Sequence, residues 1–348
     1  LAGAALAKGA TFYKTKDDIF SQWCLRVAKK DFAFGLEGYK LGLFTKRWGK
    51  GPEVQVVGTL LLAACELYLA TNDEYYQDIA VEYAPIIMRS QQLEPTSWDK
   101  PLYGFFYEDP SQEKLLSYEH RGHEQNAITG LAMLYECFPN HSDAVKWKRS
   151  LDAYKDYVKT TMVYTAPYGM VPAAIYSPKY LNKDRFTVPS RYGSKEALDA
   201  LYYEQMKQGI QLNSDVWLRR FPLSLHRRGF HATLLSKAKA ISSIARVNHD
   251  KDLLQIAIDQ CEWIMGKNPF ATSTMYGVGY NYHPLYVAFS PQLEGALPVG
   301  IKTKGAYDAP YWPVANNAVY KEIWGHTTGK FVSVFADIIK MKKEMGKN

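Results

Sequence analysis

Pairs of helices joined by short polar turns recur along this chain, and this pattern most limits the folds open to it. Apolar residues from Val56 to Tyr68 repeat at intervals of three and four, as a buried or amphipathic helix requires. Asn72 and Asp73 interrupt the pattern, and a second helix is predicted from Asp73 to Gln92. The same unit returns around breaks at 139–142 and 248–250, with helices predicted at 142–160, 229–247 and 251–265.

Helical hairpins bury their apolar faces either in an open solenoid or in a closed ring. No sequence repeat of fixed period is visible, so closure is favoured. We therefore predict an all-α fold without strands of any length, an (α/α)6-barrel-like toroid formed as a single domain by residues 1–348. Long loops rich in Gly, Pro and aromatic residues are expected to build one binding face, at 35–52, 93–117, 164–195 and 268–313.

The composition indicates a soluble chain. Hydrophobic residues make up 47% of it, yet no apolar run reaches the roughly 18 to 20 residues of a membrane span. Four cysteines lie far apart in helical patterns, which predicts free thiols rather than a disulfide framework or a zinc site. The net charge of +7 is scattered, which argues against nucleic-acid binding and leaves an acidic glycan as a candidate partner.

Aromatic residues are abundant, with 26 Tyr and 8 Trp, and many lie in the long loops. Flat rings that carry a polar group suit the faces of sugars. Large helical proteins also pack many rings in their cores, so both interpretations stay open. In the loop around Trp98 and Tyr103 we expect these two residues to contact sugar, and Phe105 or Phe106 to anchor the loop.

The most specific motif is CEWIMGKNPF at 261–270, followed by YGVGYNYHP at 276–284, GALPVG at 295–300 and DAPYW at 308–312. Together these stretches resemble glycoside hydrolase family nine, the cellulase-like (α/α)6-barrel glycosidases. Weaker similarity at 138–144 and 227–231 extends the resemblance over nearly the whole chain. The resemblance implies a carbohydrate substrate, no cofactor and a location outside the cytoplasm.

Family nine enzymes invert the anomeric centre. One carboxylate on an Asp-rich loop activates water, while a Glu near the C-terminus protonates the leaving oxygen. Residues Leu1 to Tyr13 resemble the helix that follows this loop, so we expect the catalytic-base segment to be absent from this chain and its domain to begin upstream. Asp17 and Asp18 are predicted only to cap a helix.

Glu322 is the candidate general acid, because it follows the acidic and aromatic stretch DAPYW at 308–312 and is flanked by Trp324 and His326. Asp308 is the candidate supporting carboxylate. An ungapped alignment of 317–319 with the family's Asn-Glu-Val motif instead places Ala318 at the acid position. Assigning Glu322 requires a shift of about one helical turn, and an ordinary solvated helix residue is the alternative.

A second group of residues is predicted to contact the sugar. The polar cluster at 118–124 is expected at a helix start, where His120 and His123 share a face; its spacing differs from that of zinc hydrolases, so we predict no metal site. Solvated helix caps would explain the same cluster. The full set of sugar-contact candidates is His120, Arg121, His123, Trp98, Tyr103, Arg228, Tyr280, Tyr282, His283, Tyr286, Tyr311, Trp312, Trp324 and His326.

Three functions remain open at this point. The first is an inverting glycoside hydrolase that acts on a poly- or oligosaccharide. The second is a glycan-binding relative without catalysis, which Ala318 and the missing base segment favour. The third is a polysaccharide lyase or unsaturated-uronide hydrolase of the same superfold, since His, Tyr and basic residues suit acidic sugars.

Overall fold

Helices dominate the structure, a computed structural model that describes residues 1–45, 51–117, 122–180, 193–224, 229–286 and 292–345. Contacts divide the chain into two compact units. Unit one consists of Leu1–Glu94, Gly104–Lys114 and Gln125–Tyr154, and unit two of Pro95–Tyr103, Leu115–Glu124 and Lys155–Asn348. The organisation as a single domain stays a prediction.

Unit one is built from helices whose buried faces follow the predicted periodicity. They are α1 (Ala2–Tyr13), α2 (Asp18–Lys40), α3 (Glu53–Thr71), α4 (Glu74–Arg89), α5 (Gln125–Cys137) and the beginning of α6 (Ala144–Met162). The prediction that a loop begins at Gly35 is wrong, because α2 continues to Lys40. Phe32 and Leu36 are buried one turn apart, and this burial outweighs the low helix propensity of Gly35.

Two of the helix boundaries read from the sequence are confirmed by their hydrogen bonds. Asp17 caps α2 by accepting a bond from the Phe20 amide at 2.9 Å, as predicted. Asn72 ends α3 in the left-handed conformation, with φ of 58°, and Asp73 then caps α4. A two-residue turn therefore joins α3 to α4.

The helices α3 and α5 approach each other closely at two glycines. A Cβ atom on Gly58 would lie 2.4 Å from the backbone of Asn126, and one on Gly130 would lie 2.6 Å from the Gly58 carbonyl oxygen. Asn126 also donates a hydrogen bond from Nδ2 to Thr59 Oγ1 at 2.6 Å. The two backbones touch where a side chain would keep them apart.

By length and composition alone α3 could cross a membrane. In this structure 61% of its apolar window is buried inside the protein. That burial is expected of a core helix.

Unit two combines helices with short strands. Strands β1 (Ala174–Tyr176), β2 (Ile210–Asn213) and β3 (Val216–Arg219) form an antiparallel sheet in the order β1-β3-β2, and β4 (Lys302–Thr303) pairs with β5 (Pro310–Tyr311). The helices are α7 (Lys195–Lys207), α8 (His231–Asn248), α9 (Lys251–Ile264), α10 (Ala318–Lys321) and α11 (Gly325–Met345). None of these strands exceeds four residues, so the described chain is mostly helical, as predicted.

A buried carboxylate joins α8 to α11. Asp337 on α11 accepts hydrogen bonds from Lys239, Ser242 and Arg246 on α8, at 2.5, 2.6 and 2.5 Å. Burial alone would raise the pKa of Asp337, but the two cations lower it below its usual value. The carboxylate is therefore held ionised, and it fixes the two helices whose first turns carry residues of the candidate site.

We expect Gly58→Ala to lower the free energy of unfolding by about 2 kcal/mol or more, because the new methyl group overlaps the α5 backbone. Gly35→Ala is the matched control, since nothing lies within 4 Å of a Cβ atom there. It should leave stability unchanged or raise it by up to about 1 kcal/mol. Urea unfolding of both variants measures the difference, and equal stabilities would contradict the close approach of α3 and α5.

Candidate active site

The candidate site forms where the segment 318–324 pairs with the backbone of two other segments of unit two. The Val299 and Gly300 amides donate to the carbonyl oxygens of Glu322 and Tyr320, at 2.8 and 2.9 Å. On the other edge, the Tyr286 amide donates to the Lys321 carbonyl at 2.9 Å. Glu322 is thus held between two chain segments at the end of α10.

The Glu322 side chain is half-buried and has a fixed neighbour. Its Oε2 accepts a hydrogen bond from Trp324 Nε1 at 3.0 Å. The Trp324 ring lies 5.9 Å from the ring of His326, which in turn lies 6.1 Å from that of His123. Four predicted site residues are therefore neighbours in space.

Two stacked rings and a lysine lie beside the segment 318–324 that carries Glu322. His283 and Trp312 are parallel within 2°, with centroids 6.3 Å apart. Lys321 Nζ lies 5.3 Å from the Trp312 centroid and donates to the Val314 carbonyl at 2.7 Å. Burial, and then the charge of Lys321, lower the pKa of His283, so its imidazole is neutral at neutral pH. Lys321 was not identified from the sequence.

A completely buried histidine, His231, packs against the stack of His283 and Trp312. The His231 ring lies 6.4 Å from that of Trp312, and its Nε2 is 3.5 Å from Thr274 Oγ1. A Cβ atom on Gly300 would lie 2.2 Å from this ring, and Gly300 has a φ of 98°, so only glycine fits. Burial lowers the pKa of His231 to about 3. In the sequence, His231 falls in the weaker resemblance at 227–231, beside Gly229 at a predicted helix start, where a sugar contact and a structural role both stay open.

Asp308 has an environment different from that of Glu322. Its two oxygens accept hydrogen bonds from the backbone amides of Arg220 and Phe221 at 3.0 and 2.9 Å, and Arg219 Nε lies 3.4 Å from Oδ1. The residue is 8% exposed, and burial raises its pKa against the opposing effect of Arg219. These bonds anchor the end of β3, and a supporting role in catalysis stays a prediction.

The loop around Trp98 is fixed to other elements of unit two. Tyr103 donates from its hydroxyl to Asp156 Oδ2 on α6 at 2.9 Å, and Lys100 donates to the Gln211 carbonyl on β2 at 2.7 Å. The bond to Asp156, followed by burial, raises the pKa of Tyr103. Tyr103 is thus occupied as an anchor, and sugar binding by it or by half-buried Trp98 stays a prediction. Phe105 and Phe106 are both buried, as expected of core anchors.

The remaining candidate tyrosines are divided between exposed and packed positions. Tyr280 is fully exposed, and Tyr282 packs edge-on against Tyr276 with centroids 5.2 Å apart. Tyr311 packs against Tyr320 in the same manner at 5.7 Å. Tyr320, also missed in the sequence, has its pKa raised by burial.

Three of the predicted sugar-contact residues fall outside the part of the chain that the structure describes. They are His120, Arg121 and Arg228. His123 is described and precedes α5, which begins at Gln125. Within the described ranges, no group of three or more His, Cys, Asp or Glu side chains is arranged to hold a metal ion.

Residues 2–287 match the family model described as "Glycosyl hydrolase family 9". This match covers well over half of the chain. The chain belongs to glycosyl hydrolase family 9. Glu322 lies beyond the matched residues, so family membership alone does not assign its role.

Solved structures show the same fold for this family 9 chain. The cellulase Cel9M of C. cellulolyticum superposes with a TM-score of 0.55 at 18% identity, and the match covers 97% of this chain and 62% of that one. The endoglucanase of the termite Nasutitermes takasagoensis gives 0.56 at 15% identity, covering 98% and 64%. Nearly the whole of the mostly helical family 9 chain therefore matches part of the (α/α)6-barrel of these enzymes, and it spans less than two thirds of their length.

Because His231 is buried and neutral, we expect it to make the free energy of unfolding depend on pH. Its pKa is about 3 when folded and about 6.5 when unfolded, so the unfolded chain binds a proton that the folded chain excludes. This stability is present above pH 6.5 and is lost as the pH falls towards 3. Between pH 7 and 4.5 the unfolding free energy of the wild type should fall by up to about 2.5 kcal/mol more than that of His231→Gln. Parallel slopes in urea titrations would contradict the buried neutral imidazole.

Proposed function

We propose that this chain is a glycoside hydrolase that cleaves a poly- or oligosaccharide with inversion, and that Glu322 is the general acid. The observation that carries the proposal is the bond from Trp324 Nε1 to Glu322 Oε2. It fixes a half-buried carboxyl group among rings suited to sugar. A proton donor has to be held within hydrogen-bond reach of the leaving oxygen, and the indole supplies that restraint.

The stack of His283 and Trp312 is the proposed surface for a sugar ring. Among the described residues, neither Trp312 Nε1 nor His283 Nδ1 has a hydrogen-bond partner, although both atoms are buried. Buried polar atoms of this kind are nearly always bonded. The hydroxyl groups of a bound sugar would supply the missing hydrogen-bond partners. Tyr286, which is 40% exposed and follows His283 in the same segment, offers a further ring for stacking.

The substrate is proposed to carry acidic groups. The chain has a net charge of +7, and Lys321 lies against the Trp312 ring. A cation near the sugar-binding stack favours a uronate or sulfate group over a neutral ring. Salt should weaken turnover of an acidic glycan more than that of a neutral one. The location outside the cytoplasm is proposed with the substrate, since polysaccharides of this kind are met there.

Glu322→Gln tests the acid. The amide keeps the size of the side chain but cannot donate the proton, so kcat on a natural glycan should fall by about 100-fold or more. An aryl glycoside with a dinitrophenolate leaving group needs no proton, and its hydrolysis should fall by less than about 10-fold.

Glu294→Gln changes an exposed glutamate of the neighbouring loop; it is the matched control and should keep the wild-type rate on both substrates. Reducing-sugar release and phenolate absorbance provide the two measurements. If Glu322→Gln loses equal activity on both substrates, or none on either, Glu322 is not the acid.

A second candidate is a glycan-binding protein without turnover. The observation that favours it is the engagement of Asp308 by two backbone amides and Arg219, which ties the second candidate carboxylate to β3. An inverting enzyme needs two carboxyl groups about 6.5 to 9.5 Å apart. In this case the sugar surface would remain and the chemistry would not.

Calorimetric titration with a panel of neutral and acidic oligosaccharides separates the two candidates. We expect Tyr286→Ala to weaken binding by about 5-fold or more, because removal of a stacked ring costs about 1 kcal/mol or more. Tyr75→Ala removes an exposed tyrosine ring from α4, which carries no candidate site residue, and should bind normally. Binding by the wild type without release of reducing sugar would favour the glycan-binding protein over the hydrolase.

A further inference from the structure

The close approach of α3 and α5 continues along both helices in the same direction. Gly58 meets Gly130 at one level, and Tyr68 packs edge-on against Phe138 further along, with centroids 4.7 Å apart. The two helices are therefore parallel neighbours. Each carries a cysteine seven residues, or two turns, after its contact glycine.

These cysteines, Cys65 on α3 and Cys137 on α5, lie at equivalent levels of the two neighbouring helices. Each thiol shifts the pKa of the other, as neighbouring sulfurs do. Both are free thiols; Cys65 is 1% exposed and Cys137 is half-buried. A disulfide requires Cβ atoms about 3.5 to 4.5 Å apart, and the backbone contact at Gly58 and Gly130 brings the two helices close enough for facing side chains to approach that separation.

We propose that Cys65 and Cys137 form a redox-active dithiol that closes to a disulfide between α3 and α5 on reaction with a small-molecule disulfide. The site is separate from the Glu322 residues and does not depend on their function. The sequence alone gave no indication of it, because the two cysteines are far apart in the chain.

The two sulfurs have different roles in the exchange. The neighbouring Cys65 thiol lowers the pKa of Cys137, while the Cys137 thiol, followed by burial, raises the pKa of Cys65. Cys137 is also the more exposed sulfur. It is therefore the thiolate that reagents reach first, while Cys65 stays protonated beside it.

The reaction balances with one oxidant molecule. The Cys137 thiolate attacks one sulfur of the small disulfide, forms a mixed disulfide and releases one thiolate. Cys65 then loses its proton and attacks the Cys137 sulfur, which expels the second thiolate. Two protein thiols are oxidised to one S–S bond, and one small disulfide is reduced to two thiols.

Oxidised glutathione is the probe. The reduced full chain is incubated with it, alkylated and digested with trypsin without reduction. We expect the peptides 51–89 and 122–146 to appear joined, with two of the four thiols lost. The urea midpoint of the oxidised chain should also rise, since the bond restrains the unfolded chain across the 65–137 loop.

Cys137→Ser should abolish both the joined peptides and the rise in the urea midpoint. Cys24→Ser is the matched control, a buried cysteine on α2 whose loss should leave both unchanged. Glutathione attached to Cys137 without the joined peptides, or joined peptides that include Cys24 or Cys261, would overturn the proposal. So would a wild-type chain that keeps all four thiols, and this readout does not depend on any variant folding.

Discussion

The candidate site depends on the segment 299–301, which is hydrogen-bonded on both edges. On one edge, the Val299 and Gly300 amides donate to the segment that carries Glu322. On the other edge, the amides of Phe230 and His231, at the start of α8, donate to the carbonyl oxygens of Ile301 and Val299 at 2.8 and 3.0 Å. Because Gly300 has a positive φ and no space for a side chain, the His231 ring can lie directly against it. The first turn of α8 and the end of α10 are thereby held at a fixed separation, and the ring stack fills the space beside them.

Helices could be predicted from the sequence because their signals are local. Apolar residues that recur every three or four positions, with Asp17 or Asp73 as a cap, locate α2 to α4 to within a few residues. The strands were missed for an equally physical reason. The four residues of β3 are all buried and show no alternation, so nothing in their pattern separates them from a core helix segment. Their partners in the sheet, not their own sequence, make them strands.

The residues of the candidate site also fall into two groups, those that local sequence identifies and those whose roles come from contacts with distant residues. Glu322, Trp324 and His326 are close in sequence, so motif and resemblance could identify them together. His231 and Lys321 acquire their roles from contacts with Trp312, which no local pattern encodes. The Asp308 prediction shows the converse difficulty. An acidic residue in an aromatic loop fits catalysis, yet its oxygens are bonded to the backbone beyond β3.

Family membership and catalytic chemistry place different demands on this chain. The family match ends at residue 287, and identities of 15 to 18% accompany TM-scores near 0.55. Packing tolerates such divergence, because a helix keeps its place with any apolar residue of suitable size. A proton donor does not, since its position and its hydrogen-bond partner must both persist. The Trp324 bond to Glu322, rather than the fold, therefore bears on whether this chain performs hydrolysis.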